Sequence, residues 1–245
     1  MVLLIDAEPL LYRAAAGAEY EVNWDNSDSW TYQCNHSEAK AKFEHDVAYI
    51  EKQANCPGTL LLFSDKNNFR YGVDPSYKGN RKKRRKPSGY EKLVEWCGTH
   101  WFAKSLPNVE ADDAIGILYK PGDVISSRDK DLKTVPGLHL TEEGAIEEIP
   151  EHLADLTFFM QVLTGDAADG YPGCKGMGPV GAAKALAGAS TNAEYWEAVL
   201  AAYLKAGKTP QEALVQARLA RILRAEDYDL EAHRVKLWSP SVGCN

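Results

Sequence analysis

The chain has 245 residues, 44% hydrophobic and 26% charged, the profile of a globular protein with room for a sizeable core and not of a disordered or fibrous one. Its aliphatic runs, residues 2–5 and 60–63, fall far short of the roughly 20 residues of a membrane span, and an N-terminus carrying Asp6 and Glu8 lacks the order of a secretory leader; no membrane association and a cytoplasmic location are expected. A net charge of −7 excludes a phosphate-rich partner unless positive charge is gathered in one place.

Residues 2–6 are an apolar run ending in a carboxylate, Asp6, after which Pro9 opens an Ala-rich helix reaching about Gly17. Residues 19–36 are polar and aromatic without a clear period, and an irregular loop is expected there. Phe43, Val47, Ile50 and Ala54 recur at helical spacing, giving an amphipathic helix over residues 38–55 that Cys56, Pro57 and Gly58 stop. Residues 59–64 read as a buried strand closing on Asp65. Residues 72–89, basic and polar between Pro75 and Pro87, have no apolar face and read as an exposed insertion. A helix over 90–96 and a strand over 101–104 follow, then a helix opened by Glu110, Ala111, Asp112 and Asp113 with Ile115 and Leu118 inward. A strand over 123–127 is closed by Asp129, Lys130 and Asp131. Such alternation predicts an α/β fold, a central mostly parallel sheet flanked by helices. Ligands of such sheets bind beyond the carboxyl ends of the strands, so Asp6, Asp65 and the pair Asp129/Asp131 should meet at one edge. Beyond His139 the pattern is helical, over 153–163, 180–186, 195–204 and 211–223.

Three constellations carry chemistry. Nine acids, Asp6, Asp65, Glu110, Asp112, Asp113, Asp129, Asp131, Asp166 and Asp169, stand at strand ends or share local faces: Asp129 and Asp131 at extended spacing, Glu110 with Asp113 and Asp166 with Asp169 at helical spacing. Gathered acids repel and need cations, and hard oxygen ligands select magnesium, with manganese as the substitute. Any one of these acids alone would read as a helix cap or solvated surface; repetition at several strand ends favours metal. The second constellation is a run in which seven of nine residues from Lys78 to Lys86 are basic (Lys78, Arg81, Lys82, Lys83, Arg84, Arg85 and Lys86). A charge run is most often a solvated face, but Tyr77 beside it offers an aromatic surface for stacking a base. The third is the glycine-rich turn Gly173, Lys175, Gly176, Gly178 before a helix bearing Lys184, where backbone N–H groups can approach phosphate; alone it is only a turn. Cys34, Cys56, Cys97, Cys174 and Cys244 are scattered and read as reduced thiols with no zinc site.

These stretches together resemble the 5′-nuclease superfamily of flap endonucleases and phage 5′→3′ exonucleases. The match runs from Leu3-Leu4-Ile5-Asp6 through Tyr77-Lys78-Gly79-Asn80-Arg81, Glu110-Ala111-Asp112-Asp113, Asp129-Lys130-Asp131 and Gly165-Asp166-Ala167-Ala168-Asp169-Gly170 to Gly176-Met177-Gly178. The tail, with residues 220–224, Tyr228 and residues 237–240, is similar to the stand-alone exonucleases of short-tailed bacteriophages. The resemblance implies a PIN-like core over 1–140 with a helical arch insertion at about 72–98, and a C-terminal helical part over 141–245 containing a helix–two-turn–helix that grips duplex DNA and holds a potassium ion. It implies that the nine acids hold two magnesium ions, that Lys78 and Arg81 polarise the scissile phosphate, and that Tyr77 stacks the terminal base. It also implies that Arg13, Lys82, Lys83, Arg84, Arg85, Lys86, Lys175, Gly176, Gly178 and Lys184 bind DNA. The expected reaction is an in-line displacement at phosphorus assisted by two metal ions, on DNA with a 5′ end in a duplex, flap or RNA–DNA hybrid, by a monomer in the cytoplasm of a phage-infected host. Gln161 stands where some flap endonucleases carry a Lys, and no phosphate contact is expected from it.

Two other readings fit parts of the pattern. A phosphomonoesterase of the aspartyl-phosphate type also places an Asp after the first strand, but wants a second Asp where Glu8 stands. A non-catalytic DNA-binding module would use the glycine turn and the basic run, and would leave the acids without a role.

Overall fold

The computed structural model describes residues 1–24, 28–81 and 85–240, Arg81 by its backbone alone. A six-stranded sheet, β1 (Leu3–Asp6), β4 (Thr59–Phe63), β5 (Ala103–Ser105), β6 (Val124–Ser126), β7 (Gly137–Leu140) and β8 (Ile146–Ile149), runs in the order β5-β4-β1-β6-β7-β8. All neighbours are parallel except β7 with β8. β1 is central and apolar because it is covered on both faces. Leu3 and Ile5 pack with α1 (Glu8–Ala16), α2 (His36–Ala54) and α4 (Tyr90–His100), whereas Leu4 packs with α5 (Ala111–Leu118) and with Ile222, Leu223 and Tyr228 of the tail. From β1 the chain passes to β4 on one side and later to β6 on the other, so the carboxyl ends of β1, β4 and β6 border the crevice where the strand order reverses.

A separate core joins α6 (Glu151–Thr164), α7 (Pro179–Leu186), α8 (Asn192–Lys205) and α9 (Pro210–Ala220) around Phe158, Phe159, Val199 and Tyr203. Arg70, at the start of the single turn α3 (Arg70–Val73), ties the two cores. Its guanidinium donates to the carbonyls of Leu219 (3.0 Å) and Arg221 (2.7 Å) and to both oxygens of Asp113 (2.6 and 2.9 Å). The tail, which ends in the small pair β9 (Tyr228–Asp229) and β10 (Arg234–Val235) before Trp238, adds Arg224 on Asp155 (2.7 Å) and Trp238 against Phe158 and Trp196.

Several sequence expectations need correction. Residues 19–36 are not an irregular loop: β2 (Glu19–Asn23) and β3 (Trp30–Cys34) form an antiparallel hairpin. Tyr20, Trp30 and Tyr32 all stay about half exposed, so the alternate burial that marks a strand is missing from its sequence. β7 lies mostly in a stretch for which the sequence predicts no element, and β8 beyond His139, where only helix is expected; both are too short to show a period. From Tyr90 onward the expected arch is instead α4, whose Leu93 and Cys97 are fully buried in the sheet core. The last helix stops at Ala220, not Leu223, because residues 222–223 are drawn onto the sheet.

Candidate active site

Asp6 ends β1 and is pulled inward with its strand. Its Oδ1 accepts from the backbone N–H of Glu8 at 3.3 Å. Burial, then Glu8 and Asp129, push its carboxyl up to about 7. Across the crevice, Glu110 caps α5 reciprocally with Asp113, and Glu110, Asp112 and Asp113 bring carboxylate oxygens within 4.8 Å of one another. Burial and then Asp113 and Glu110 hold Asp112 well above the usual carboxylate range. Burial also raises Glu110, but Arg70 and Lys78 outweigh it and leave that carboxyl below its ordinary value.

The third contribution follows β6. Asp129 accepts from the N–H of Asp131 at 2.9 Å and opens a short 3-10 helix, Lys130–Thr134. Burial, Asp129 and then Asp166 push Asp131 up to about 6. The fourth lies between α6 and α7. Asp166 turns the chain by accepting from the N–H groups of Ala168 (2.6 Å) and Asp169 (3.2 Å), and its backbone pairs with Tyr171. Four glycines of this link, Gly165, Gly170, Gly173 and Gly176, adopt positive φ. At Gly165 and Gly173 the two passing backbones leave no room for a side chain: a Cβ on either would meet the other's N within 2.5 Å. Two turns between two helices, 165–178, are the helix–two-turn–helix expected from the sequence.

Lys78 closes the floor. Its ammonium lies 2.5 Å from Glu110 and 3.6 Å from Asp169; burial opposes its charge, but these two acids overcome that and raise its proton affinity. The acids therefore form one chain of interacting charges, from Glu8 and Asp6 through Asp129, Asp131, Asp166 and Asp169 to Lys78, Glu110 and Asp112. Three of these acids, Asp6, Asp112 and Asp131, are forced toward the neutral state; Arg70 and Lys78 oppose this at Asp112, and Lys130 at Asp131. Hard oxygens with uncompensated negative charge fit divalent cations. Gln161 of α6 donates to Asp131 Oδ1 at 2.7 Å, while its own Oε1 is buried with no partner among the described residues. Such an acceptor suits a water in a cation's hydration shell.

The other expected site residues fall differently. Asp113 is fully buried, and its carboxylate already accepts from Arg70, Leu223 N–H and Glu110 N–H; its place is to hold Arg70. Asp65 turns away, accepting from the N–H groups of Lys66 and Asn108 beside Tyr228, and Glu8 with Ser64 stands next to Asp6 instead. Tyr77 is 2% exposed, with its hydroxyl on Glu110 (3.0 Å) and Asp169 (2.8 Å); it supports the floor and presents no face to a base. Arg13 pairs with Asp46 at 2.7 Å and, with His45 and Arg128, lines a cavity of about 410 Å³ bordering Asp6. Arg85 grips Glu19 with both terminal nitrogens (2.7 Å each) and stacks on Tyr32, so it secures the hairpin, and Lys86 lies over Tyr90. Lys175, Gly176 and Gly178 are exposed just before α7, and Lys184 is exposed on its last turn. Lys82, Lys83, Arg84 and the Arg81 side chain lie outside the described residues. Glu8, Ser64 and Gln161 were missed as site residues. Glu8, two residues after Asp6, carried a signal in sequence, and Gln161 carried one in standing where some flap endonucleases have a Lys; Ser64 carried none.

An open sheet with carboxylates gathered at its carboxyl edge, and Lys78 held among them, is an arrangement suited to divalent cations. Comparison with known proteins agrees. The exodeoxyribonuclease of Enterobacteria phage T3 is 29% identical over 98% of this chain and 93% of its own length, and the exonuclease of Escherichia phage T7 is 27% identical over the same shares. The T5 5′-exonuclease with bound zinc ions superposes with a TM-score of 0.61 over 89% of this chain and 88% of its own, at 17% identity. The T5 flap endonuclease in a complex with DNA and metal ions does so with 0.61, over 90% and 89%, at 16% identity; both likenesses are of fold. No family model matches the chain. In sequence the chain is similar to these phage exonucleases, and in fold to the T5 5′-exonuclease.

Proposed function

We propose that this protein is a metal-dependent 5′→3′ exonuclease and flap endonuclease that hydrolyses phosphodiester bonds in DNA during phage replication or recombination. The observation that carries the reading is Lys78 seated between Glu110 and Asp169 on an acidic floor. Asp6, Glu110, Asp112, Asp129, Asp131, Asp166 and Asp169 would hold two magnesium ions, for which manganese would substitute. When bound, these ions supply Lewis acidity toward phosphate oxygens. Lys78, fully charged in the working range, complements charge developing on a non-bridging oxygen, with Arg81 as its partner. Arg70 and Tyr77 fix Glu110, so the floor is organised before substrate arrives.

The α/β part to about residue 140, with the basic segment, carries most of the acids, and the helical part beyond it completes the metal site with Asp166 and Asp169 and binds duplex DNA. The exposed start of α7, with Lys175 just before it and Lys184 on its last turn, suits backbone phosphates, and the same turn suits a potassium ion. Arg13 and Arg128 beside Asp6 continue the positive path. The substrate is DNA with a 5′ end, single-stranded at a flap or in a duplex or RNA–DNA hybrid. The protein acts as a monomer in the host cytoplasm; no described helix is long and apolar enough to cross a membrane. The phosphomonoesterase reading loses its second acid, because both oxygens of Glu8 are engaged by Ser64.

The experiment is digestion of 5′-labelled duplex, flap and single-stranded DNA with magnesium and with chelator. Magnesium-dependent release of nucleotides and flap fragments is expected. Binding without cleavage, or release of inorganic phosphate alone, would overturn the reading.

A further inference from the structure

Three acid-bearing elements meet in the crevice, and one pair of side chains outside the expected ligand set connects them. Glu8 is the first residue of α1, so its charge sits at the positive end of that helix. Its N–H reaches Asp6 (3.3 Å), and its carboxylate turns to β4, where Oε1 accepts from the Ser64 N–H (3.3 Å) and Oε2 from the Ser64 hydroxyl (2.9 Å). The hydroxyl oxygen in turn accepts from the backbone N–H of Ala111 at 3.1 Å. Ala111 opens α5 between Glu110 and Asp112, and its amide is one of the donors that a helix start leaves without an internal partner. The reciprocal cap of Glu110 and Asp113 satisfies others; Ser64 takes this one.

We propose that Glu8 and Ser64 are positioning residues for the cation site: the relay from Glu8 through Ser64 to Ala111 sets how far Asp6 stands from Glu110 and Asp112. With its proton donated to Glu8, the Ser64 oxygen is free to accept from the Ala111 N–H, so the carboxylate orients the hydroxyl and helps fix α5 through it. Side chains one step removed from metal ligands act by holding ligand geometry. Neither Glu8 nor Ser64 needs to touch metal or DNA. The inference rests on the proposed nuclease function for its kinetic consequence, though its effect on cation binding stands apart from cleavage.

The test uses the full chain as wild type, Ser64→Ala, Ser64→Thr and Glu8→Gln. Magnesium binding is followed by calorimetry and by the rise in melting temperature, and single-turnover cleavage of a 5′-labelled flap is titrated with magnesium and with DNA. Ser64→Ala and Glu8→Gln should weaken magnesium binding and lower the saturating rate, each by about tenfold, with half-saturation in DNA changed less than about twofold. Ser64→Thr, which keeps the hydroxyl, should recover most of both. Wild-type magnesium affinity in Ser64→Ala would overturn the proposal. So would loss of magnesium binding in Glu8→Gln alone, which would make Glu8 a ligand. A wild type that binds magnesium but cuts no DNA would sink the nuclease reading and leave the calorimetric test of the relay intact.

Discussion

The side-chain amide of Gln161 donates to Asp131 at 2.7 Å, from the inner face of α6 to the loop after β6. A neutral donor thus steadies one of the crowded acids without cancelling its charge. Gln161→Leu should leave Asp131 freer to rotate and lower the saturating cleavage rate by roughly tenfold, the scale of a lost supporting contact to a ligand. Single-turnover rates over a magnesium titration read this out. An unchanged rate would assign the contact to packing alone.

The proposed role of Lys78 at the reacting phosphate predicts that Lys78→Ala costs cleavage rate much more than DNA binding. At least a tenfold loss is expected, about 1.4 kcal/mol of transition-state stabilisation. Near-normal single-turnover cleavage at saturating DNA would reduce Lys78 to a tether.

Acids of the floor and acids of the frame should respond to neutralisation with opposite signs. Asp113→Ala strands the guanidinium of Arg70 in the core, where loss of one partner of a buried pair costs about 3–5 kcal/mol. Asp112→Asn instead removes a charge that burial and its neighbours disfavour, so stability in chelator should hold or rise while cleavage collapses. Chemical denaturation with chelator, beside a nuclease assay, separates the two. An Asp112→Asn protein as damaged as Asp113→Ala would contradict the division.

The pH dependence of the metal-free protein follows from Asp6, raised to about 7, and Asp131, raised to about 6. A folded carboxyl that holds its proton more tightly than the unfolded one contributes stability that is fully present below about pH 4 and is lost as pH rises through its folded value. Asp6→Asn should therefore match wild type near pH 4 and melt progressively higher than it between pH 5 and 8, by several degrees at the upper end. Magnesium should reverse the order by stabilising wild type more. Melting curves in chelator at four pH values give the answer, and a lower-melting Asp6→Asn at pH 8 would contradict it.

Because Arg85 is committed to Glu19 and Tyr32, Arg85→Ala should loosen the hairpin and leave the salt dependence of DNA binding nearly unchanged. Lys184→Ala should flatten the log–log slope by nearly one unit, the value of one phosphate contact. Binding measured from 50 to 200 mM salt distinguishes them. The reverse pattern would return Arg85 to the DNA interface and remove Lys184 from it.

The sequence by itself determined the alternation of buried strands and helices, the acid at the end of β1, the pair after β6 and the glycine turn, because each depends on residues close together in the chain. Local periodicity could not show the β2–β3 hairpin, whose aromatics are exposed, nor β7 and β8, which span only four residues each. Tertiary structure alone decided which acids face the crevice. Asp65 and Asp113 look like their neighbours in sequence, yet Asn108 draws one aside and Arg70 claims the other, a partner 43 positions away in each case. It likewise buried Tyr77 behind the acids it supports and brought Glu8, Ser64 and Gln161 to the floor. A side chain's direction is set by which distant donors it can reach when its element packs, and that is information the order of residues along one segment does not contain.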